Sequence, residues 1–324
     1  MYTSQSRHSF KRKILITGGS GFIGSALAEK LASDNENLVV VVDDLSTGNI
    51  GKLPANSENL RFIKCDVNEY KDIVEVMLSY QFHYVFHYAA VVGVQRTQDH
   101  PVNVLKDIRG LENILRISKN TGVKRVFYAS SSEVYGEPVE IPQNAHTTPL
   151  NSRLPYAIVK NLGEAYLRSY HKEYDLNFTI FRFFNTYGPK QSKDFVISKF
   201  IYYALNNQDI TIFGDGMQTR TFCFIDDNIE ACVKIASQDL HINDVINIGN
   251  DHETTILDLA KTVIQITGSS SKIVHLPPLP EGDMTRRCPD NQIMRNVLGR
   301  PLLSLEDGIK AILSKGLFEL NGQH

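Results

Sequence analysis

Between Lys13 and Leu31 the chain passes from a short apolar run, Ile14-Leu15-Ile16, through Gly18-Gly19-Ser20-Gly21-Phe22-Ile23-Gly24 into a helical spacing of Leu27, Ala28 and Leu31. A strand that turns into a helix within a few glycines leaves few folds open, because the glycines allow a tight turn and close backbone approach to a phosphate. Its charge would then meet the free N–H groups at the helix N-terminus. A second apolar run at 38–42 ends in Asp43, where a carboxylate can bond a ribose 2′-hydroxyl. Dinucleotide binding through Gly18, Gly21, Phe22, Ile23, Gly24 and Asp43 is the expectation.

The alternation continues. Residues 60–64 read as a third strand ending at Cys65-Asp66-Val67, 68–80 as a helix, and 84–86 as a strand ending at His87-Tyr88-Ala89-Ala90. Then come a long helix at 99–120 and a strand at 125–129 that delivers Ser130-Ser131-Ser132-Glu133. Strands alternating with helices imply parallel pairing, with ligands lying outside the strand C-termini, where every motif named so far falls. The fold class expected is α/β, a doubly wound parallel sheet of Rossmann type. On spacing alone Asp66 suits a turn or helix cap equally well. His87 reads as a hydrogen-bonded core histidine with no part in proton transfer. Residues 138–153, rich in Pro, Asn and Thr, read as a loop, 155–174 as a helix and 178–183 as a strand. Beyond this the pattern loosens into shorter elements, as a smaller C-terminal α/β lobe would. The division expected is 1–184, with a segment at about 221–245 returning to it, as the cofactor domain, and 185–220 with 246–324 as the substrate lobe.

Composition excludes several function classes. With 34 Lys and Arg against 36 Asp and Glu the net charge is −2, so nucleic acid is not an expected partner, and any phosphate must meet local cations. The first thirteen residues read as a short polar leader. The apolar run after them is broken by glycines, which suits neither a signal sequence nor a membrane span. Cys65, Cys223, Cys232 and Cys288 show no metal-ligand spacing, so no metal is expected and free thiols in the cytoplasm are.

Tyr156 and Lys160 stand four apart on the helix at 155–174 and therefore share a face. A phenol titrates near 10, and an adjacent ammonium favours its ionised form, so the pair can act as a general base while a hydroxyl of the serine run holds the same substrate oxygen.

The serine-rich strand end, Tyr-x3-Lys and the glycine loop together resemble the extended short-chain dehydrogenase/reductase family, in its nucleotide-sugar epimerase, dehydratase and decarboxylase branch. The resemblance runs from Lys13 to about Leu317. It implies catalysis by Ser131, Ser132, Glu133, Tyr156 and Lys160. Asp43-Asp44-Leu45-Ser46-Thr47-Gly48 is similar to the family's loop around adenosine, and Asp66-Val67 to its adenine contact. Ala89 and Ala90 would leave room for the nicotinamide. A carboxylate at Asp43 would repel a 2′-phosphate, so the cofactor expected is NAD. For the substrate, a nucleotide sugar with UDP as its expected base, the resemblance implies contacts from Arg96, Asn185, Val196, Phe213 and Arg220. Gly282-Asp283-Met284-Thr285-Arg286-Arg287 would add one more arginine, from either member of its pair. A homodimer is also implied. The helices at 99–120 and 155–174 match the family's four-helix interface, and Ile158, Leu162, Tyr166 and Tyr170 are more apolar positions than one buried face needs.

In the family a hydride leaves C4 of the sugar, and the resulting 4-keto sugar is epimerised, dehydrated or decarboxylated. A net reductase would favour the 2′-phosphorylated cofactor, which Asp43 opposes, and a non-catalytic dinucleotide sensor would not need Ser131, Tyr156 and Lys160 together. Glu133 directs the choice of net reaction. Ser-x-Ser-Glu-Val-Tyr-Gly is similar to decarboxylases and some dehydratases, and Ser132 stands where 4,6-dehydratases carry an acid. UDP-glucuronate decarboxylation is therefore the first expectation. Epimerisation at C4 is the second, because Tyr156-Ala-Ile-Val-Lys160 resembles the epimerase Tyr-Ala-x-Ser-Lys, and dehydration is the third.

Overall fold

The computed structural model describes residues 10–93, 97, 99–278 and 286–316. Seven strands form the central sheet: β1 (Arg12–Thr17), β2 (Asn37–Asp43), β3 (Leu60–Lys64), β4 (Tyr84–His87), β5 (Arg125–Ser131), β6 (Phe178–Phe183) and β11 (Asp244–Ile248). They lie in the order β11-β6-β5-β4-β1-β2-β3, and every pairing is parallel. This is the doubly wound Rossmann-type sheet expected.

Alternation along each strand feeds two apolar layers. Ile14, Ile16, Val39, Val41, Phe127 and Phe181 point to one face, toward α1 (Phe22–Ala32) and a second helix at Ile225–Ser237. Leu15, Val40, Val42, Val126 and Ile180 point to the other. That face is covered by α2 (Tyr70–Tyr80) and, after a short α3 (Pro101–Lys106), by α4 (Ile108–Ser118) and α5 (Pro155–Tyr174). Burial on both faces is why β2 and β5 have no exposed position and read as almost unbroken apolar runs. Phe86, Phe127 and Phe181 stack across β4, β5 and β6, with ring centroids 4.4 and 5.9 Å apart.

One expected element divides. The single helix at 99–120 is two, α3 and α4, meeting at Asp107. Asp107 accepts the N–H of Val91 at 2.6 Å, a bond that ties the junction to the chain leaving β4. Hydrophobic spacing continues through such a break, so spacing alone cannot reveal it.

The remaining strands are short and pair away from the central sheet: β7 (Thr186–Tyr187) with β10 (Cys223–Phe224), β8 (Ile210–Phe213) with β13 (Ile273–Leu276), and β9 (Thr219–Thr221) with β12 (Glu253–Thr255). The helices among and after them are α6 (Val196–Leu205), α7 (Ile225–Ser237), α8 (Ile256–Thr267), α9 (Gln292–Leu298) and α10 (Leu305–Lys315). No helix among the described residues is long and apolar enough to cross a membrane. All four cysteines are buried and free, and no cluster of metal-ligating side chains occurs among the described residues.

Helix α5 is fixed to the sheet by a buried ion pair. Glu164 receives Arg182 Nε at 2.9 Å and Nη2 at 2.7 Å, and Ser130 Oγ donates to the same carboxylate at 2.7 Å. Both charged side chains are 2% exposed. Removing one partner leaves the other charged and desolvated, so Arg182→Met is expected to lower unfolding free energy by about 3–5 kcal/mol. The pair Glu164→Leu/Arg182→Met should recover much of that loss in urea denaturation.

Candidate active site

The crossover direction reverses between β1 and β4, and the chain ends there form one packed unit. Gly18 donates to Val42 O at 2.9 Å, while Tyr88 N and Ala89 N each donate to Thr17 Oγ1 at 3.2 Å. Gly18 has φ +66°, and a Cβ on it would lie 2.6 Å from Ala89 N. At Gly24 a Cβ would lie 2.4 Å from Gly18 O. No side chain could replace hydrogen at either place without moving backbone. Gly21 caps α1, with Phe22 and Ile23 in its first turn, and no side chain occupies the cap.

Asp43 closes the other wall. Its Oδ2 accepts Ser20 N and its Oδ1 accepts Leu45 N, each at 2.9 Å, and a Cβ on Gly48 would meet Oδ1 at 2.5 Å. Burial raises the Asp43 pKa, and these two N–H bonds act against that rise. Leu45 sits at φ +64°, a strained conformation for a branched side chain, held by its bond to Asp43. Asp44 accepts from the Ser46 backbone and hydroxyl, and Thr47 is exposed beside them. Asp66 Oδ1 accepts Asn68 N at 2.9 Å, a turn bond, with Val67 buried next to it.

A small cavity at this level is lined by His87, Ala89, Ala90, Asp107, Tyr128, Tyr156 and Lys160, among others. The helical spacing thus brings Tyr156 and Lys160 to one pocket, with Lys160 Nζ 5.7 Å from the Tyr156 ring centre and 5.1 Å from that of Tyr128. The Ser131 hydroxyl stands close enough to the Tyr156 phenol to lower its pKa. His87 shares a 2.9 Å hydrogen bond with Thr17 Oγ1, and burial drives its pKa down to about 3, so it is a neutral core group.

The electrostatics differ from the simple expectation at Tyr156. Burial, and after it the Glu133 carboxylate, push the phenol above its ordinary value, against the lowering effect of the Ser131 hydroxyl. The lysine charge does not overcome them. Lys160 is itself 4% exposed; burial lowers its pKa to about 8, and Asp107 is the charge that favours its protonated form. Spacing arguments did not single out Asp107, because it stands alone at a helix junction. Glu164 follows Lys160 by four residues and continues the Tyr156–Lys160 face, a spacing from which its place beside the site can be read.

Arg286 and Arg287 part company. Arg286 is exposed and forms a forked pair with Glu253, at 2.7 Å from Nε to Oε1. Arg287 is buried, with Nη1 3.6 Å from Glu133 Oε1, and its charge opposes that of Glu133 at Tyr156. Asn185, at φ +25°, donates to Thr221 O at 3.1 Å, and Arg220 Nη1 donates to Thr219 O at 2.7 Å. Val196 opens α6 and Phe213 ends β8, 37% exposed. Ser132 is buried in the turn that holds Glu133. Arg96 and residues 282–285 lie outside the described residues.

The pKa of Lys160 carries a stability prediction. In the folded chain it is near 8, below the unfolded value of 10.5, so the unfolded state binds more protons between these limits and stability rises with pH across them. Below pH 8 the burial penalty is fully present. Chemical denaturation of wild type and Lys160→Met should show their difference shifting toward wild type by about 1–3 kcal/mol between pH 7 and 10.

Against this geometry, comparison with known proteins is informative. The model of the NAD dependent epimerase/dehydratase family matches residues 14–249. A UDP-N-acetyl-alpha-D-glucosaminuronate decarboxylase of Bacillus cytotoxicus is 36% identical over 316 residues, covering 93% of this chain and 96% of the relative. UDP-glucuronic acid decarboxylase 6 of Arabidopsis thaliana is 33% identical over 307 residues, covering 92% and 86%. Among solved structures, the UDP-glucose 4-epimerase of Thermotoga maritima with UDP-glucose superposes with a TM-score of 0.88 at 31% identity, covering 95% of this chain and 99% of that one. The glycine cradle that no Cβ could enter, the carboxylate at the end of β2 and the Tyr156–Lys160 pocket fit a dinucleotide, and the chain belongs to the NAD-dependent epimerase/dehydratase family of enzymes.

Proposed function

We propose that this enzyme decarboxylates a UDP-hexuronate, with UDP-glucuronate as first choice, through a transient 4-keto sugar. The observation that carries this reading is the Glu133–Arg287 pair at the Tyr156 end of the pocket. A neutral hexose needs no cation at C6, whereas a C6 carboxylate fits a buried guanidinium that is matched in the free enzyme by an acidic side chain. The decarboxylase relatives named above act on sugars that carry this carboxylate.

Bound NAD would supply the acceptor for the C4 hydrogen with its electron pair, return it at the end and, while oxidised, add a positive charge that favours the phenolate of Tyr156. Tyr156 takes the proton of the C4 hydroxyl, whose oxygen Ser131 holds by hydrogen bond. Lys160 lies behind the ring and stabilises its anion. In the 4-keto uronate the carboxylate is β to the carbonyl, so the C5–C6 bond can break with its electrons passing to the C4 oxygen. Arg287 holds the carboxylate until carbon dioxide leaves, and the Tyr156 proton stabilises the enolate oxygen. A proton returned to C5 by way of Glu133 gives the 4-keto pentose, and Tyr156 gives its proton back to the C4 oxygen as that carbonyl is reduced to the pentose. The nucleotide would lie toward Asn185, Val196, Phe213 and Arg220, with Arg286 at the rim.

The second reading, 4-epimerisation of a UDP-sugar, is favoured by Tyr156-Ala-Ile-Val-Lys160 and by the superposition on a 4-epimerase. Mass spectrometry after incubation with UDP-glucuronate and NAD separates the two. A UDP-pentose with release of carbon dioxide is expected, and UDP-galacturonate without a pentose overturns the first reading. Tyr156→Phe should retain NAD and lose about 10²- to 10⁴-fold in turnover.

We further propose that the active form is a homodimer built on α5. Ile158 and Leu162 are 46% and 43% exposed, and a groove along the helix is lined by Leu162, Ala165, Tyr166, Ser169, Tyr170 and Tyr174. Pairing two copies of α4 and α5 would cover this apolar, aromatic face. Sedimentation at micromolar concentration should give twice the chain mass for wild type and the chain mass for Leu162→Glu.

A further inference from the structure

Tyr135 shares a single helical turn, Ser132–Tyr135, with Glu133, but it serves a different part of the molecule. Its ring is buried beside Phe184, with centroids 6.1 Å apart, and is 1% exposed. Its hydroxyl has one proton to give and gives it to Asn247 Oδ1 at 2.7 Å, while accepting Arg182 Nη1 at 2.9 Å. Arg182 is the partner of Glu164 on the helix that carries Tyr156 and Lys160. On the far side, Asn247 Nδ2 donates to Gln143 O at 2.8 Å and to Asp290 O at 3.2 Å. Gln143 and the segment after Arg287 are joined as a two-way bridge: Gln143 N donates to Cys288 O, and Asp290 N to Gln143 O, each at 2.8 Å.

A polar path therefore runs from the catalytic helix, through Arg182, Tyr135 and Asn247, to the backbone that presents Arg287. It passes through side chains that are 1–2% exposed, where water cannot substitute for a missing bond. The Glu133–Arg287 pair is tied to it at both ends. Glu133 stands two residues from Tyr135 on one turn, and Arg287 adjoins the bridge that Asn247 holds. The two charges stand 3.6 Å apart.

We propose that Tyr135 is a positioning residue which, through Asn247, sets where Arg287 meets the carboxylate of a uronate sugar and so determines the preference for charged over neutral sugar nucleotides. This rests on the role given above to Arg287, but not on whether carbon dioxide is lost. Phenylalanine would keep the ring and lose both hydrogen bonds, freeing Asn247 and the bridge to shift.

The test is titration calorimetry of the enzyme carrying NAD, with every form titrated below combined with Tyr156→Phe so that no turnover accompanies binding, and with UDP-glucuronate and UDP-glucose as ligands. Wild type should prefer the uronate. Tyr135→Phe should lose about tenfold of that preference, the size expected for one hydrogen bond serving a charged group, with affinity for UDP-glucose unchanged within about twofold. Asn247→Ala, which cuts the same path beyond Tyr135, should do likewise, so the result does not depend on one variant folding. In an Arg287→Ala background, Tyr135→Phe should add nothing. The proposal is overturned by a folded Tyr135→Phe that keeps the preference, by equal weakening of both ligands, by a full further loss on top of Arg287→Ala, or by a wild type without preference. A wild type that prefers the uronate yet releases no carbon dioxide overturns the decarboxylase reading and leaves this one standing.

Discussion

The bidentate contact of Arg182 with Glu164 is the constraint on which the site depends. A carboxylate and a guanidinium are both withdrawn from water between α5 and β6, at a desolvation cost that only near-complete hydrogen bonding can offset. That requirement explains the company they keep: Ser130 completes the carboxylate, and Tyr135 and Ala145 O receive the remaining guanidinium N–H bonds. Each partner comes from a different element, so satisfying two charges fixes the helix, two strand ends, a turn and a loop relative to one another. Tyr156 and Lys160 inherit their positions from that arrangement, because they ride about two turns and one turn ahead of Glu164, respectively, on the same helix.

Much of the architecture was legible because a parallel sheet writes itself plainly. Alternation in Ile14-Leu15-Ile16 and Val39-Val40-Val41-Val42 sends neighbours to opposite apolar layers, and the glycines at 18 and 24 stand where backbone approaches too closely for a side chain. The strands at 60–64 and 178–183 and the helix at 155–174 have the limits expected of them. The break at Asp107 was not legible, since a helix can end on a single tertiary hydrogen bond that leaves the spacing of apolar residues intact. Nor could spacing distinguish Arg286 from Arg287. Which guanidinium turns inward is decided by Glu253 and Glu133, far away in the chain.

Electrostatics at Tyr156 show the same limit in another form. Sequence places a cation one turn from a phenol, and the usual inference is a lowered pKa. The fold adds what spacing cannot: burial of both groups, a carboxylate at Glu133 nearer in effect than the ammonium, and Asp107 as the charge that Lys160 faces. The free enzyme thus holds its phenol protonated. In the role proposed for it as base, Tyr156 would need charge brought by ligands to ionise, which would tie that role to an occupied site.

Asp43 joins two properties that are usually discussed apart. One carboxylate oxygen holds the glycine loop through Ser20 N, and the other restrains the left-handed turn at Leu45, with Gly48 packed against it. A residue chosen to welcome a phosphorylated ribose would have to drop the negative charge, and with it at least one of the two N–H bonds, since a neutral amide keeps only one acceptor oxygen. The dinucleotide such a chain could accept and the shape of the loop that accepts it are therefore inherited together, and an altered cofactor choice would require rebuilding the turn as well as replacing one side chain.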